Sequence, residues 1–253
     1  MCVLFIAKNV STQYPLIIIA NRDEFYQRPA KPIAHWQDSP IVAGLDLEAG
    51  GTWLGVTAAG KVSALTNIRD PKSLKNNAQS RGELVTNFLV CDQTLAIFKS
   101  QLQTSASSYN GYNLLFGDKD NLQVFHSATQ RFSTVNTGIH GLSNAQLNSP
   151  WPKVTLGKQL LTDYLINTQR VCADELVELL RNNIQAPDQS LPKTGIPLTI
   201  ERALSPLFIN STENNYGTRC TSVLLFSPTG GISFHEVSYD AQGEVSGKKQ
   251  ITL

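Results

Sequence analysis

A cysteine directly follows the initiator methionine, and this position has a specific chemical use. Cysteine is small enough for aminopeptidases to remove Met1, which would leave Cys2 with a free α-amine beside its thiol. That amine can act as the general base for the thiol, as the N-terminal amine does for threonine nucleophiles. The alternative is that Cys2 is a small buried hydrophobic residue, as free cysteines usually are.

Four polar residues, Asn21-Arg22-Asp23-Glu24, end an apolar run that begins at Leu16. An arginine beside a thiol lowers the pKa of that thiol, and a carboxylate from Asp23 or Glu24 can orient the amine. Asn21 is a candidate for contact with a substrate. The alternative is that the four residues form a turn, because Asn and Asp are common in turns.

The strands on either side of residue 11 are expected to bring these groups together. Cys2–Ala7 and Pro15–Ala20 are short apolar runs, which predicts two buried strands. An antiparallel hairpin with its turn near residue 11 places Cys2 opposite the end of the second strand. Local pairing then brings Cys2 close to Asn21–Asp23.

Other polar side chains stand at the ends of later predicted strands. Asn67 and Asn144 follow apolar strands, and Arg219 begins a strand beside Cys220. Asparagine side chains can hold the oxyanion formed during attack on an amide or thioester. Trp53 is expected to be a core residue or a pocket wall. The alternatives are that the asparagines cap turns and that Arg69, Arg81 or Arg219 form surface ion pairs.

Composition excludes several classes of function. The 21 basic and 20 acidic residues nearly cancel, so we expect no nucleic-acid partner. No apolar run approaches the roughly 20 residues of a membrane span, and no signal peptide is evident. The four cysteines are scattered, and the histidines lack metal spacing, so we expect no metal ion, no other cofactor and a cytoplasmic location. The oligomeric state stays open.

The order of predicted elements is strands, two helices, strands, two helices, strands. Because strands and helices do not alternate one by one, a doubly wound sheet is not expected. We predict an α+β fold, a four-layer αββα sandwich of two antiparallel sheets flanked by helix pairs, formed by residues 1–253 as one domain. The expectations also include an irregular segment at 25–39, a helix capped by Ser80, and a long loop at 186–216 with a short helix near Glu201–Leu204.

A set of motifs spaced over nearly the whole chain resembles the NRDE family, the family of transport and Golgi organisation protein 2. The motifs are Met1-Cys2, Ala20-Asn-Arg-Asp-Glu24 followed by Arg28-Pro29, Gly50-Gly-Thr-Trp-Leu-Gly55, Thr66-Asn67-Ile-Arg69, Ser80-Arg-Gly82, His140-Gly-Leu-Ser-Asn144 and Gly217-Thr-Arg219. The family is similar to N-terminal nucleophile hydrolases, and this likeness implies the same αββα fold.

A more distant resemblance is to cholylglycine hydrolases and penicillin V acylases. It implies that Cys2, Arg22, Asp23 and Arg219 take the places of the nucleophile, the arginine, the aspartate and the late arginine of that pattern, with Asn67 and Asn144 near the oxyanion. We expect Cys2, Arg22, Asp23, Asn144 and Arg219 to be catalytic. We expect Asn67, and separately Asn21 and Trp53, to contact the substrate. The arginine and aspartate are separated in that pattern but adjacent here, so the orienting carboxylate is either Asp23 or Glu24.

Two functions follow as expectations. The first is a cysteine-nucleophile hydrolase or acyltransferase that acts on a linear amide or thioester of a small molecule. The alternative is a non-catalytic binding or carrier protein for a hydrophobic metabolite such as acyl-CoA or haem. The resemblance also implies a role in Golgi organisation or secretion for eukaryotic relatives.

Overall fold

Two antiparallel sheets form the middle of the molecule in the computed structural model, which describes residues 2–253. The first sheet has seven strands, numbered along the chain. They are β1 (Cys2–Lys8), β2 (Leu16–Phe25), β10 (Gly138–Leu142), β11 (Asn210–Ser211), β12 (Tyr216–Phe226), β13 (Ile232–Tyr239) and β14 (Val245–Thr252). Their order is β10-β1-β2-β12-β13-β14, with β11 paired to β12.

The second sheet also has seven strands, and each strand pairs with the next one in the chain. They are β3 (Ala30–His35), β4 (Ile41–Asp46), β5 (Leu54–Thr57), β6 (Val62–Asn67), β7 (Tyr112–Gly117), β8 (Leu122–His126) and β9 (Arg131–Thr134). The helices are α1 (Gly82–Val90), α2 (Leu95–Ser105), α3 (Pro152–Asn167), α4 (Ala173–Leu179) and α5 (Leu198–Ala203).

Side-chain alternation along the strands divides the core into layers. Leu4 and Ile6 of β1 pack between the two sheets, whereas Val3 and Phe5 pack against residues of α3 and α4. A third cluster joins the second sheet to α1 and α2. Because both faces of the central strands are covered, these strands are apolar at nearly every position. The layers confirm the predicted α+β, αββα sandwich.

The close approach of α3 to β1 depends on a glycine. A Cβ atom on Gly157 would lie 2.0 Å from Cζ of Phe5, so no larger residue fits between this helix and the sheet. The first turn of α3 is thereby held over the end of the sheet where Cys2 lies.

Several sequence-based boundaries were wrong for identifiable reasons. The four polar residues from Asn21 do not end a strand, because β2 continues to Phe25 and pairs with β12 on its far side. The segment 25–39 contains strand β3, which tolerates Pro32 because β3 is an edge strand with irregular pairing after Lys31.

The helix boundaries differ as well. Helix α1 begins at Gly82 with Arg81 at its N-cap position, so Ser80 does not cap it. The short helix expected near Glu201 is present as α5, and β12 begins at Tyr216, within the predicted loop. Among residues 2–253, no helix is both long and apolar enough to cross a bilayer.

Candidate active site

Cys2 and Arg22 lie directly opposite each other in the antiparallel pairing of β1 with β2. This register confirms the hairpin expected from the sequence. On the other side of β2, Arg22 lies opposite Cys220 of β12. Directly opposed residues in antiparallel strands point to the same face of a sheet. Cys2, Arg22 and Cys220 therefore all face the space between the two sheets.

A cavity of about 650 Å³ opens at this end of the sandwich. Six of the eight candidate residues from the sequence lie in its wall: Cys2, Arg22, Asp23, Trp53, Asn67 and Arg219. The strands that carry them come from both sheets, so the face-to-face packing of the sheets assembles the cavity. Its size is in the range of small-molecule sites.

Cys2 is 7% exposed at the cavity wall. Burial raises the pKa of this thiol above its ordinary value, because a thiolate loses hydration there. The negative charges of Asp23 and Glu24 act in the same direction, and the positive charge of Arg22 opposes them. A free α-amine on Cys2 depends on the removal of Met1. Met1 lies outside residues 2–253, which are the residues that the structure describes.

Arg22 belongs to a charged network that reaches the second sheet. Its guanidinium lies 3.6 Å from a carboxylate oxygen of Asp46 on β4. The same oxygen accepts a 2.7 Å hydrogen bond from Nε of Arg28. Burial is the largest influence on Asp46 and would raise its pKa. The hydrogen bonds from Arg28 and from the backbone N–H groups of Ala49 and Glu48, together with the charge of Arg28, outweigh burial and lower the pKa. Asp46 is therefore a carboxylate that holds Arg22 across the gap between the sheets.

Asp23 and Glu24 differ in their surroundings. Oδ1 of Asp23 accepts a 2.8 Å hydrogen bond from the Thr218 hydroxyl, and the backbone carbonyl of Asp23 accepts one from the Tyr216 hydroxyl. Asp23 is 1% exposed, whereas Glu24 is half-buried and accepts a hydrogen bond from the backbone N–H of Phe25. Of these two carboxylates, only that of Asp23 accepts a hydrogen bond from a side chain on a neighbouring strand.

Lys153, which the sequence did not single out, is buried in the first turn of α3. Burial lowers the pKa of its ammonium to about 8, and the nearby charge of Arg69 acts in the same direction. The charges of Asp23 and Cys2 oppose this shift. A cation is unfavourable at a helix N-terminus. A lysine directly after Pro152 is therefore an unusual residue for this position, but its burial follows only from tertiary packing.

Asn67 and Asn144 are linked, but only Asn67 lies in the cavity wall. Nδ2 of Asn144 donates a 2.9 Å hydrogen bond to the backbone carbonyl of Asn67. Oδ1 of Asn144 accepts from the Ser143 hydroxyl at 3.1 Å and from Arg69 at 3.4 Å. Asn144 is 1% exposed, so its amide fixes the position of Asn67.

Arg69 forms a buried ion pair with Glu201 of α5, which corrects the alternative of a surface pair. The two side chains are 6% and 3% exposed. Glu201 also accepts hydrogen bonds from the backbone and side chain of Thr194, and the Arg69 guanidinium lies 5.0 Å from the ring centroid of Trp151. The pair ties the segment around α5 to the end of β6.

Arg219 also holds backbone in place. Its Nη1 donates to the carbonyl oxygens of Phe25, Tyr26 and Arg28 at 2.8–3.3 Å. These carbonyls form the turn between β2 and β3. Arg219 therefore shapes the rim of the cavity beside Arg22, and it is not a surface ion-pair residue.

Asn21 is not a cavity residue, contrary to the expectation of substrate contact. Its Nδ2 donates to the carbonyl oxygens of Leu180 and Leu207 at 3.0 and 2.9 Å, and its Oδ1 accepts from the Thr221 hydroxyl at 2.6 Å. Strand alternation turns Asn21 away from Arg22 and towards the helices. The buried amide joins β2 to the helical layer.

The first comparison concerns the fold. The chain superposes on the C2A mutant of conjugated bile acid hydrolase from Clostridium perfringens with a TM-score of 0.55 and 9% sequence identity, covering 100% of this chain and 92% of that one. At this identity the superposition shows a shared αββα fold and nothing more.

The family follows from sequence. The family model for transport and Golgi organisation 2 matches residues 1–241, and this chain belongs to that family. The human transport and Golgi organization protein 2 homolog is 34% identical over 260 residues, covering 94% of this chain and 93% of that protein. Transport and Golgi organization protein 2 of Drosophila melanogaster is 29% identical, with 96% and 95% covered.

Proposed function

We propose that this protein is a cysteine-nucleophile hydrolase or acyltransferase that acts on a linear amide or thioester. The observation that carries the proposal is the position of Cys2, which lies opposite Arg22 in the wall of a cavity between two sheets. The fold shared with a conjugated bile acid hydrolase supports this reaction class without supplying the substrate.

The proposed reaction requires removal of Met1. The α-amine of Cys2 then takes the thiol proton, and Sγ attacks the carbonyl carbon of the bound amide or thioester. The leaving amine or thiol receives that proton as the tetrahedral intermediate collapses, which leaves an acyl group on Sγ. Water or a second acceptor then takes the acyl group and restores the thiol.

The surrounding residues have distinct proposed roles. Arg22 favours the thiolate, because its positive charge opposes the effect of burial on the pKa of Cys2. The Asn67 side chain is the oxyanion donor, and Asn144 positions it through the backbone carbonyl of Asn67. Asp23 is the orienting carboxylate, since Thr218 fixes it and Glu24 has no comparable partner from a neighbouring strand among residues 2–253.

The second candidate function is non-catalytic binding of a hydrophobic metabolite such as acyl-CoA or haem. It is favoured by one observation, that burial raises the pKa of Cys2 and so keeps the thiol neutral. This candidate predicts that ligand binding survives Cys2→Ala. For either candidate function, we propose that residues 1–253 form one domain. We also propose a location in the reducing cytoplasm, which is in keeping with the four free thiols.

Turnover of a panel of acyl amides and acyl thioesters by the wild-type protein and by Cys2→Ala distinguishes the two candidates. The enzyme proposal expects release of the amine or thiol by the wild type and a loss of about 10³-fold or more in the variant. A Cys2→Ala variant that folds normally and retains full turnover would exclude Cys2 as the nucleophile.

A further inference from the structure

The cavity wall carries an excess of positive charge. Among the described residues that line it, seven are basic and five are acidic. Three of the four arginines in this wall already have carboxylate or carbonyl partners. Arg22 and Arg28 share Asp46, Arg28 also lies 3.4 Å from Glu48, and Arg219 is bound to backbone carbonyls.

Arg81 is the exception among the four arginines of this wall. Its guanidinium makes one hydrogen bond within residues 2–253, from Nη1 to the carbonyl oxygen of Gly111 at 3.4 Å, and it forms no ion pair there. A hydrogen bond of this length is weak. The side chain is half-buried, so its charge is partly removed from water without a carboxylate partner in contact.

Arg81 also lies within electrostatic range of the nucleophile. Burial lowers the pKa of its guanidinium from the ordinary value, and the negative charges of the Cys2 thiolate and Glu24 act in the opposite direction. Arginine nevertheless stays protonated in proteins. A fixed positive charge with unused N–H donors therefore faces the same cavity as Cys2.

The backbone next to Arg81 is rigidly placed. Arg81 occupies the N-cap position of α1, and Gly51 packs directly on this helix start. A Cβ atom on Gly51 would lie 2.7 Å from the carbonyl carbon of Gly82. The loop at 50–52 and the start of α1 thus form one wall, from which the Arg81 side chain emerges.

We propose that Arg81 binds a carboxylate of the ligand, so that the site takes acyl compounds with a carboxylate close to the bond that Cys2 attacks. The guanidinium supplies paired N–H donors whose geometry matches a carboxylate. This inference rests on the proposed function, because it assigns the substrate class of the same site.

Two alkylating reagents of nearly equal size test the charge preference. Iodoacetate carries a carboxylate and iodoacetamide a neutral amide, and with both the thiolate sulfur displaces iodide from the same CH₂ group. Mass spectrometry of peptides gives the rate at each cysteine, and the exposed Cys172 is the internal reference. The iodoacetate-to-iodoacetamide rate ratio at Cys2, divided by that at Cys172, measures the preference at constant ionic strength.

We expect a normalised ratio above one in the wild type and a fall of about three- to tenfold in Arg81→Met, the range that Coulomb's law gives for one charge a few ångströms away. Arg81→Lys keeps the charge and should retain most of the ratio. Arg131→Met removes an exposed arginine on β9, outside the cavity wall, and should leave the ratio unchanged. A ratio of one in the wild type, or no change in Arg81→Met, overturns the proposal.

A second measurement does not depend on Cys2 reactivity. N-acetylglycine and N-acetylglycinamide differ only in their carboxylate and amide ends, and a bound ligand raises thermal stability by mass action. Stabilisation of the wild type by the carboxylate alone, lost in Arg81→Met, supports the proposal, whereas equal effects of both compounds overturn it. Failure of Cys2 to react with either alkylating reagent would instead count against the proposed function.

Discussion

Cys2 and Arg22 are directly opposed residues of the β1–β2 ladder, and both side chains face the cavity between the sheets. Opposed residues in antiparallel strands have Cβ atoms roughly 5 Å apart. Backbone pairing, and not a mobile loop, therefore fixes the arginine charge beside the thiol. Asp46 holds the same guanidinium from the second sheet, at 3.6 Å.

Replacement of Arg22 by Gln should raise the pKa of Cys2 further, because Arg22 is a positive charge that lowers it. The measurement is the rate of Cys2 alkylation by iodoacetamide as a function of pH, read from the mass of the Cys2 peptide. The Arg22→Gln profile should move to higher pH, and Arg22→Lys should stay near the wild type. Identical profiles for all three proteins would show that Arg22 does not control the thiol.

Glu236→Gln should change how stability depends on pH. Burial raises the pKa of Glu236 above its unfolded value near 4.5, so its contribution to stability is complete below that pH and is lost as pH rises through the folded pKa. A Gln side chain can still accept the 3.0 Å hydrogen bond from the Ile33 N–H without becoming charged.

The midpoint of thermal unfolding checks this expectation. Relative to the wild type, Glu236→Gln should be more stable at about pH 8 than at about pH 5. An equal difference at both pH values would mean that Glu236 titrates alike in the folded and unfolded chains.

Arg69→Met should cost about 3–5 kcal/mol in the free energy of unfolding, because it leaves the buried Glu201 carboxylate without its charged partner. Urea denaturation provides the measurement. Arg202→Met is the matched control. Arg202 directly follows Glu201 on α5, and it pairs with Asp188 on the surface. That exposed pair should contribute little to stability, because water screens it. Equal losses in the two variants would argue against a special role for the buried pair.

Gly51→Ala should destabilise the protein by about 1–3 kcal/mol, because the new Cβ would meet the backbone of Gly82 at 2.7 Å. Gly247→Ala is the control, since among residues 2–253 no atom beyond its two chain neighbours lies within 4 Å of a Cβ built there. Chemical denaturation of both variants separates the clash from the general effect of replacing glycine. Similar stabilities for the two would contradict the tight packing of the 50–52 loop on α1.

The sequence predicted the part of the site that depends on local pairing. The turn near residue 11 and the two apolar runs were enough to place Cys2 close to Asn21–Asp23, because strands joined by a short connection pair with each other. The register that puts Arg22 directly opposite Cys2 came from the structure. The layered fold was predictable for a similar reason, since groups of strands separated by helix pairs leave few ways to cover both faces of each sheet.

The parts that depend on distant segments were not predictable. Lys153 and Glu201 read as surface residues of helices, and only tertiary packing buries them beside Asp23 and Arg69. Asn21 looked like a site residue by adjacency to Arg22, but consecutive residues in a strand face opposite sides. Its amide therefore belongs to the helical layer.

The central claim is that Cys2 becomes acylated, and one mass measurement addresses it directly. The mature protein is incubated with the panel of acyl amides and thioesters, quenched in acid, and digested so that the N-terminal peptide can be weighed. We predict a peptide that begins at Cys2 and carries an acyl group released by hydroxylamine, with no such adduct in Cys2→Ala. A peptide that retains Met1 and stays unmodified, while the protein still turns over or binds its ligand, would contradict the claim.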